Sequence, residues 1–190
     1  MKLSVLILWL TERNTSRILK KLDEQCVWQV EILSLIDNRR STVSDKRNIL
    51  INLCKWDYVS FVDDDDDVSD DYIVSLLKWI EHWTDVVNFK VWISINWWEY
   101  KDVLYSKDYN NEDKDWKYYR MPNHIMCIKK ELAKKFPYKN IAWEDTDFAI
   151  RINDSIKTEY NIDKTLYYYN FSSENSACQW TEHYNENRWK

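Results

Sequence analysis

The chain of 190 residues contains no glycine, where average usage would place about 13. This constrains the fold more than any motif does. Tight turns, helix stops and close backbone approaches normally use glycine because it enters the φ > 0 region without a Cβ clash. Here each of them must be made by a residue with a side chain. The same chain carries twelve tryptophans, and several stand where glycine is usual. Asn96-Trp97-Trp98-Glu99 separates two strand-like runs, a place where Asn-Gly makes a hairpin turn. Lys55-Trp56-Asp57 separates a helical pattern from a strand, where glycine ends a helix. Trp28 precedes a strand. The pattern implies that tryptophan has replaced the glycines of a parent sequence.

The length suits one domain, residues 1–190, with a real core. The net charge of −5 argues against a general nucleic-acid partner. No apolar run reaches the length of a membrane span. Leu3 to Leu10 follows Lys2 but is short and lacks a small-residue cleavage site, so it reads as a first strand rather than a signal peptide. Cys26, Cys54, Cys127 and Cys178 are scattered without CxxC spacing. Free thiols, no zinc site and a reducing cytoplasm are the expectation.

Hydrophobic patterning predicts strand, helix, strand, helix, strand over the first 60 residues. The strands are Leu3–Trp9, Val30–Ile36 and Tyr58–Val62. Thr15 or Ser16 can cap one helix, which runs to about Cys26, and the next opens at Lys46, after a polar loop from Arg39 to Ser44. This is the start of a parallel, Rossmann-like sheet. Beyond it the pattern predicts a helix over Asp71–His82, a hairpin of Asp85–Ile95 and Glu99–Ser106, and a mobile loop over Lys107–Lys117. An extended stretch from Arg120 to Ile128, a short basic helix, a helix opening near Glu144 and two late strands (Ile156–Asn161, Thr165–Asn170) complete it.

The stretch most charged with chemistry is Trp56–Asp71, WDYVSFVDDDDDVSDD. A buried strand runs straight into Asp63, Asp64, Asp65, Asp66 and Asp67, with Asp70 and Asp71 behind them. Seven carboxylates in nine residues repel one another. A cation, a helix N-terminus or open solvent must compensate them. The carboxyl end of such a strand is where open α/β sheets bind ligands. A divalent-metal site for a phosphate-bearing substrate is one reading, and a solvated acidic turn capping the next helix is the other. Glu144-Asp145 forms a second acidic site, opening a helix whose dipole it suits.

Three stretches together resemble family-2 glycosyltransferases of the GT-A fold. Lys46-Arg47-Asn48, followed by Trp56-Asp57-Tyr58 through Asp66, is similar to the family's "KRN…GDYxxFxDDDD" run. Trp143-Glu144-Asp145 is similar to its "GED" motif. The third is the opening strand followed by a second strand ending in Asp37. In the first two the departure is tryptophan for glycine. The resemblance implies a three-layer α/β sandwich with a mostly parallel central sheet and a small antiparallel hairpin. Residues 1–82 would form the nucleotide-binding half and 83–190 the acceptor half. It implies an inverting enzyme that moves a sugar from a nucleoside-diphosphate sugar, usually UDP-linked, to a glycan or other hydroxyl acceptor. Mn²⁺ or Mg²⁺ would neutralise the leaving diphosphate. Asp65 and Asp63 would hold the metal, with Asp63 also reaching the ribose. Asp64 and Asp66 are secondary candidates. Thr11, Arg13, Asp37, Lys46, Arg47, Asp63 and Asp64 would line the nucleotide sugar, with Asp37 bonded to the base, although spacing alone fits a turn aspartate there equally well. Asp145 would be the general base, and Glu144 would touch acceptor or donor. His124 could touch the acceptor and His183 could be an extra metal ligand, although surface histidines explain both.

Aromatic faces are frequent in sugar sites, but these tryptophans follow turn positions rather than one face, which argues against a lectin-like reading. Trp143 beside the proposed base and Trp9 beside the nucleotide are expected to weaken or abolish activity even where the fold survives, which would make the chain a folded but inactive variant. Two other functions fit the acidic run: a non-catalytic divalent-metal-binding module, and a nucleotidyltransferase with paired aspartates and a metal.

Overall fold

Leu3 to Leu8 are all buried, so this strand is covered on both faces and belongs at the centre of a sheet. A computed structural model describes residues 1–96 and 99–171. In it β1 (Leu3–Leu10) leads through α1 (Ser16–Gln25) to β2 (Val30–Asp37), and through α2 (Val43–Leu53) to β3 (Tyr58–Asp63). All three strands are parallel, with Leu10 opposite Asp37 and Leu8 opposite Asp63. That register brings the ends of β1, β2 and β3 to one edge of the sheet. The chain continues through β4 (Asp67–Val68), α3 (Tyr72–Ile80), β5 (Val86–Ile95) and β6 (Glu99–Tyr105). After these come β7 (Glu112–Lys114), β8 (Lys117–Arg120), β9 (Cys127–Lys129), α4 (Lys130–Lys135), α5 (Glu144–Asn153) and β10 (Glu159–Phe171).

The ten strands form one mixed sheet in the order β2-β1-β3-β9-β5-β6-β8-β7, with β10 on β5 and β4 on β10. β9 is the joint. It pairs antiparallel with β3 and with β5, and so welds the parallel half to the mixed half. Helix α1 packs with α3, and α2 with α4, as alternating crossovers on the two faces require. One continuous apolar core runs through the described residues and includes the fully buried Tyr58, Phe61, Tyr72, Phe148 and Tyr167. Three of its buried hydroxyls are satisfied within it: Tyr58 donates to the Thr84 carbonyl at 2.5 Å, and the Ser60 and Tyr72 hydroxyls lie 2.8 Å apart. None of the described helices is long and apolar enough to cross a membrane.

Four local expectations are corrected. Helix α2 starts at Val43, inside the predicted loop, because the Thr42 hydroxyl accepts from the Asp45 N–H at 3.0 Å. Thr15 stands at the N-cap of α1 but makes no capping bond: its hydroxyl is buried without a partner among the described residues, and the preceding Asn14 side chain accepts from the Ser16 N–H instead. The predicted mobile loop holds β7 and most of an antiparallel ribbon with β8. The two late strands are one, β10, with register shifts between Ile162 and Tyr167, where the sequence pattern predicts a break.

Seven described residues have positive φ, and three are tryptophans: Trp83 (φ 59°), Trp116 (φ 62°) and Trp143 (φ 59°). At such positions a Cβ crowds the backbone, costing roughly 1–2 kcal/mol each. Trp28 and Trp56 do not share this geometry, so there the glycine-like reading of the sequence lacks a backbone counterpart. Asn96 has φ 48° at the hairpin tip, and Trp97 and Trp98 lie outside the described residues. Trp83 and Trp116 are 66% and 85% exposed, so little packing is lost on removing them. Trp83→Gly and Trp116→Gly are each expected to stabilise the fold by about 1 kcal/mol in urea unfolding. Trp28→Gly, exposed on ordinary backbone, is expected to give no gain.

Candidate functional site

The edge where β1, β2 and β3 end carries the acidic run, and the five aspartates have different fates. Asp64 is buried. Its carboxylate accepts from the Leu10 N–H at 2.8 Å and is paired with Arg13. It therefore ties the turn to the end of β1. Asp66 is buried too, accepting from the Tyr167 hydroxyl at 2.7 Å and the Asn170 N–H at 2.7 Å. Burial, with Asp63 and Asp65 nearby, pushes its carboxyl well above the usual range despite those bonds. Asp67 pairs with Arg17 at 2.8 Å and Lys21 at 3.2 Å on α1. These three carboxylates build the turn.

Asp63 and Asp65 face the site. Asp63 lies 3.2 Å from His124 Nε2 and 3.5 Å from Arg47 Nη2. Burial alone would raise its carboxyl, but His124 and Arg47 together hold it well below the usual range. Asp65 has 39% of its side chain exposed and sits 2.9 Å from Arg13. Burial and the charges of Asp63 and Asp64 push it up to about 6, against the pull of Arg13. An excess of carboxylate thus remains around Asp65, and a guanidinium stands where a cation is wanted.

That donor set suits a hard cation. Asp65 and Asp63 could supply oxygens to Mg²⁺ or Mn²⁺. Among the described residues no cluster of three or more candidate ligands occurs. A cation here would need phosphate oxygens or water to complete its shell, which is how Mg²⁺ usually binds.

Arg47 joins this edge to the second acidic site. It is 4% exposed, enclosed by Phe61 and Tyr138, and donates from Nη1 to Glu144 at 2.7 Å. Burial disfavours its charge, but Asp63 and Glu144 reverse that and raise its pKa. Glu144 opens α5, and the preceding Trp143 takes the left-handed conformation that starts the helix. Asp145 is half-buried, close enough for its charge to act on Arg47, Tyr105 and Tyr138. The Arg47 Nε and His124 Nδ1 are buried without a hydrogen-bond partner among the described residues.

The remaining residues singled out in the sequence fall as follows. Lys46 is buried, 3.5 Å from Asp37. Lys46 and Arg47 therefore lie beneath the site, paired with carboxylates, rather than on its surface. Asp37 accepts from the Arg40 and Ser41 N–H groups, each at 3.1 Å. Burial opposes its charge, yet these bonds and Lys46 keep its carboxyl below the ordinary value. Thr11 is exposed and its N–H donates to the Asp37 carbonyl at 3.0 Å. Trp9 Nε1 donates to the Arg13 carbonyl. His183 lies outside the described residues. Sequence reasoning missed Tyr167 and Asn170. Their only signal was a polar, aromatic late strand, and nothing local to it named the acidic turn as partner.

The fold and this edge define the class first: the α/β, GT-A type with a Rossmann-like sheet. The structure matches S. aureus TarS in its UDP complex with a TM-score of 0.67 at 16% identity, over 92% of this chain and 62% of that one. It matches the UDP-GlcNAc complex of TarS at 0.66 and 15%, over 90% and 59%. A197 from STIV matches at 0.54 and 17%, over 86% and 82%. The chain spans 37% of the longer TarS chain. No curated protein matches the chain by sequence. Residues 11–139 match the model of Glycosyl transferase family 2, and the chain belongs to that family.

Two outcomes follow from the charges. Replacing Arg47 by Met leaves Asp63 and Glu144 facing each other without their shared cation. The variant is expected to lose about 3–5 kcal/mol in denaturant unfolding, and Arg47→Lys, unable to bridge both, to recover only part. Asp65 keeps its proton to about pH 6 in the folded state, against a reference of 3.8. Over that window the folded state binds more protons, so its stability falls as pH rises. Asp65→Asn is expected to melt a few degrees above the parent at pH 7.5 without metal, and level with it near pH 3.5.

Proposed function

We propose that the chain is a glycosyltransferase domain that moves a sugar from a UDP-sugar to an acceptor hydroxyl with inversion. One observation carries this: Arg47 links the Asp63 carboxylate at the end of β3 to the Glu144 carboxylate that opens α5. The charges of Asp65 and Asp145 both act on the Tyr169 hydroxyl, which supports a group bound at Asp65 lying on the side of Asp145. The complexes of TarS with UDP and UDP-GlcNAc, on the same fold, support UDP as the nucleotide. A reducing cytoplasm is proposed as its location, on the scattered cysteines without CxxC spacing.

In this reading Asp65, with Asp63, would hold Mn²⁺ or Mg²⁺, which would supply positive charge to balance the leaving diphosphate. Arg13, displaced from Asp65, can turn to the same phosphates. Asp37 and Thr11 stand at the adjoining strand ends, on the nucleotide side. Asp145 takes the proton of the acceptor hydroxyl as its oxygen attacks the anomeric carbon from the opposite face. Glu144 is held by Arg47 and positions the sugar. Trp143 sits beside both carboxylates, 44% exposed, where its bulk narrows the acceptor side. We infer that the tryptophans at positive φ occupy glycine positions of a parent chain.

The experiment is a thermal unfolding scan with Mn²⁺, UDP or both, paired with a UDP-release assay on UDP-GlcNAc. A melt raised by Mn²⁺ and UDP together, and by neither alone, is expected. A rise with metal alone would favour a metal-binding module, and a rise with nucleoside triphosphate but not UDP a nucleotidyltransferase. Asp145→Asn is expected to lower UDP release at least 100-fold with the Mn²⁺–UDP melt unchanged. Trp143→Gly is expected to raise release.

A further inference from the structure

A second concavity lies next to the acidic turn. Trp92 on β5 and Tyr100 on β6 stack with centroids 4.6 Å apart and planes 13° from parallel. Tyr168 on β10 meets Trp92 edge-on at 6.2 Å. Sheet register explains the cluster. Trp92 is directly opposite Tyr168, and Tyr100, opposite Ser94, is its diagonal neighbour across the hairpin. Trp92 and Tyr100 nonetheless keep 40% and 51% of their surface in water. Together with Arg17, Asp67 and Asn170 they line a pocket of about 200 Å³. Trp92 lies on extended backbone paired on both sides, unlike Trp83, Trp116 and Trp143, so its geometry makes no demand for glycine.

Three properties select a ligand. The size is below the roughly 300–1,000 Å³ typical of sites for drug-sized ligands, so one ring fits and a nucleotide does not. The charges are already matched, because Asp67 is held by Arg17 and Lys21. The pocket therefore favours a neutral ligand. The lining combines aromatic rings with planar polar groups: a guanidinium, a carboxylate and an amide. A pyranose matches this combination. Its C–H face carries slight positive charge that suits the negative face of an aromatic ring, and its hydroxyls suit in-plane donors and acceptors. The pocket is also continuous with the acidic turn. Asn170 donates from its backbone to Asp66 at 2.7 Å and from its amide to the Asp65 carbonyl at 3.0 Å.

We propose that this pocket binds one neutral sugar ring of the oligosaccharide that serves as acceptor. Naming that oligosaccharide an acceptor rests on the glycosyltransferase reading, whereas binding of the ring does not. The test is a microarray of neutral oligosaccharides, followed by calorimetry with those retained, on the chain and on Trp92→Ala and Tyr100→Ala. Saturable binding is expected, weakened about threefold to tenfold in either variant, the scale of one lost aromatic stacking contact. The Mn²⁺–UDP melt of both variants is expected to match the parent, which shows that they fold. No binding across the array, or binding indifferent to both substitutions, overturns the proposal. If oligosaccharide binding fails while the Mn²⁺–UDP melt persists, this inference alone falls. If the melt response is absent while oligosaccharide binding persists, the glycosyltransferase reading falls and the sugar site stands.

Discussion

One buried guanidinium holds the functional edge together. Arg47 lies on α2, yet its two ends meet a carboxylate from β3 and another from α5, nearly one hundred residues later in sequence. In low dielectric, an arginine without partners would be driven toward water, because its guanidinium keeps its proton, and two facing carboxylates would repel. Each group is tolerable only because the others are present. The position of α5 relative to the sheet is therefore fixed by charge as much as by the packing of Phe148 and Ile152. Arginine suits this place because its rigid fork reaches two acceptors at once.

Much of the sheet was legible in the chain because its signals are local. Six buried residues in a row announce β1, and a buried run ending in aspartates announces β3. What was not legible depends on contacts distant in sequence. Asp63, Asp64, Asp65, Asp66 and Asp67 are chemically identical in the sequence. Only the fold separates Asp64, bound to Leu10, and Asp66, bound to Tyr167, from Asp65, which faces outward. Arg47 read as a positive charge for phosphates because nothing in its neighbours reveals burial beneath Phe61 and Tyr138. Asp37 was read two ways, as a turn residue and as a ligand contact. Its bonds to Arg40 and Ser41 show the first role in place.

The tryptophans sit on two kinds of backbone. Trp143 is left-handed, as a helix opened by a glycine would be, and Trp83 and Trp116 occupy the same conformation at turns that the sequence did not single out. Trp28 and Trp56 instead sit on ordinary backbone and share Lys2, whose ammonium lies 5.3 and 3.9 Å from their ring centroids. A bulky aromatic is thus absorbed differently by place. Where φ is negative it finds a cation or a stacking partner, and where φ is positive it leaves strain.

The hydroxyl of Tyr167 reaches back across the molecule. It donates to the Asp66 carboxyl and accepts from the Asp63 N–H at 3.0 Å. The acidic turn is thus finished by the last described strand. On a ribosome, which adds roughly 5–20 residues each second, β1, β2 and β3 emerge several seconds before β10. Through that interval Asp66 has no buried hydroxyl to meet and β5 lacks its longest neighbour. The nascent chain carries a half-built sheet with an unpaired edge, the kind of edge that chaperones shield. The site is completed only as synthesis of these strands ends, so a chain cut short before β10 would be without it.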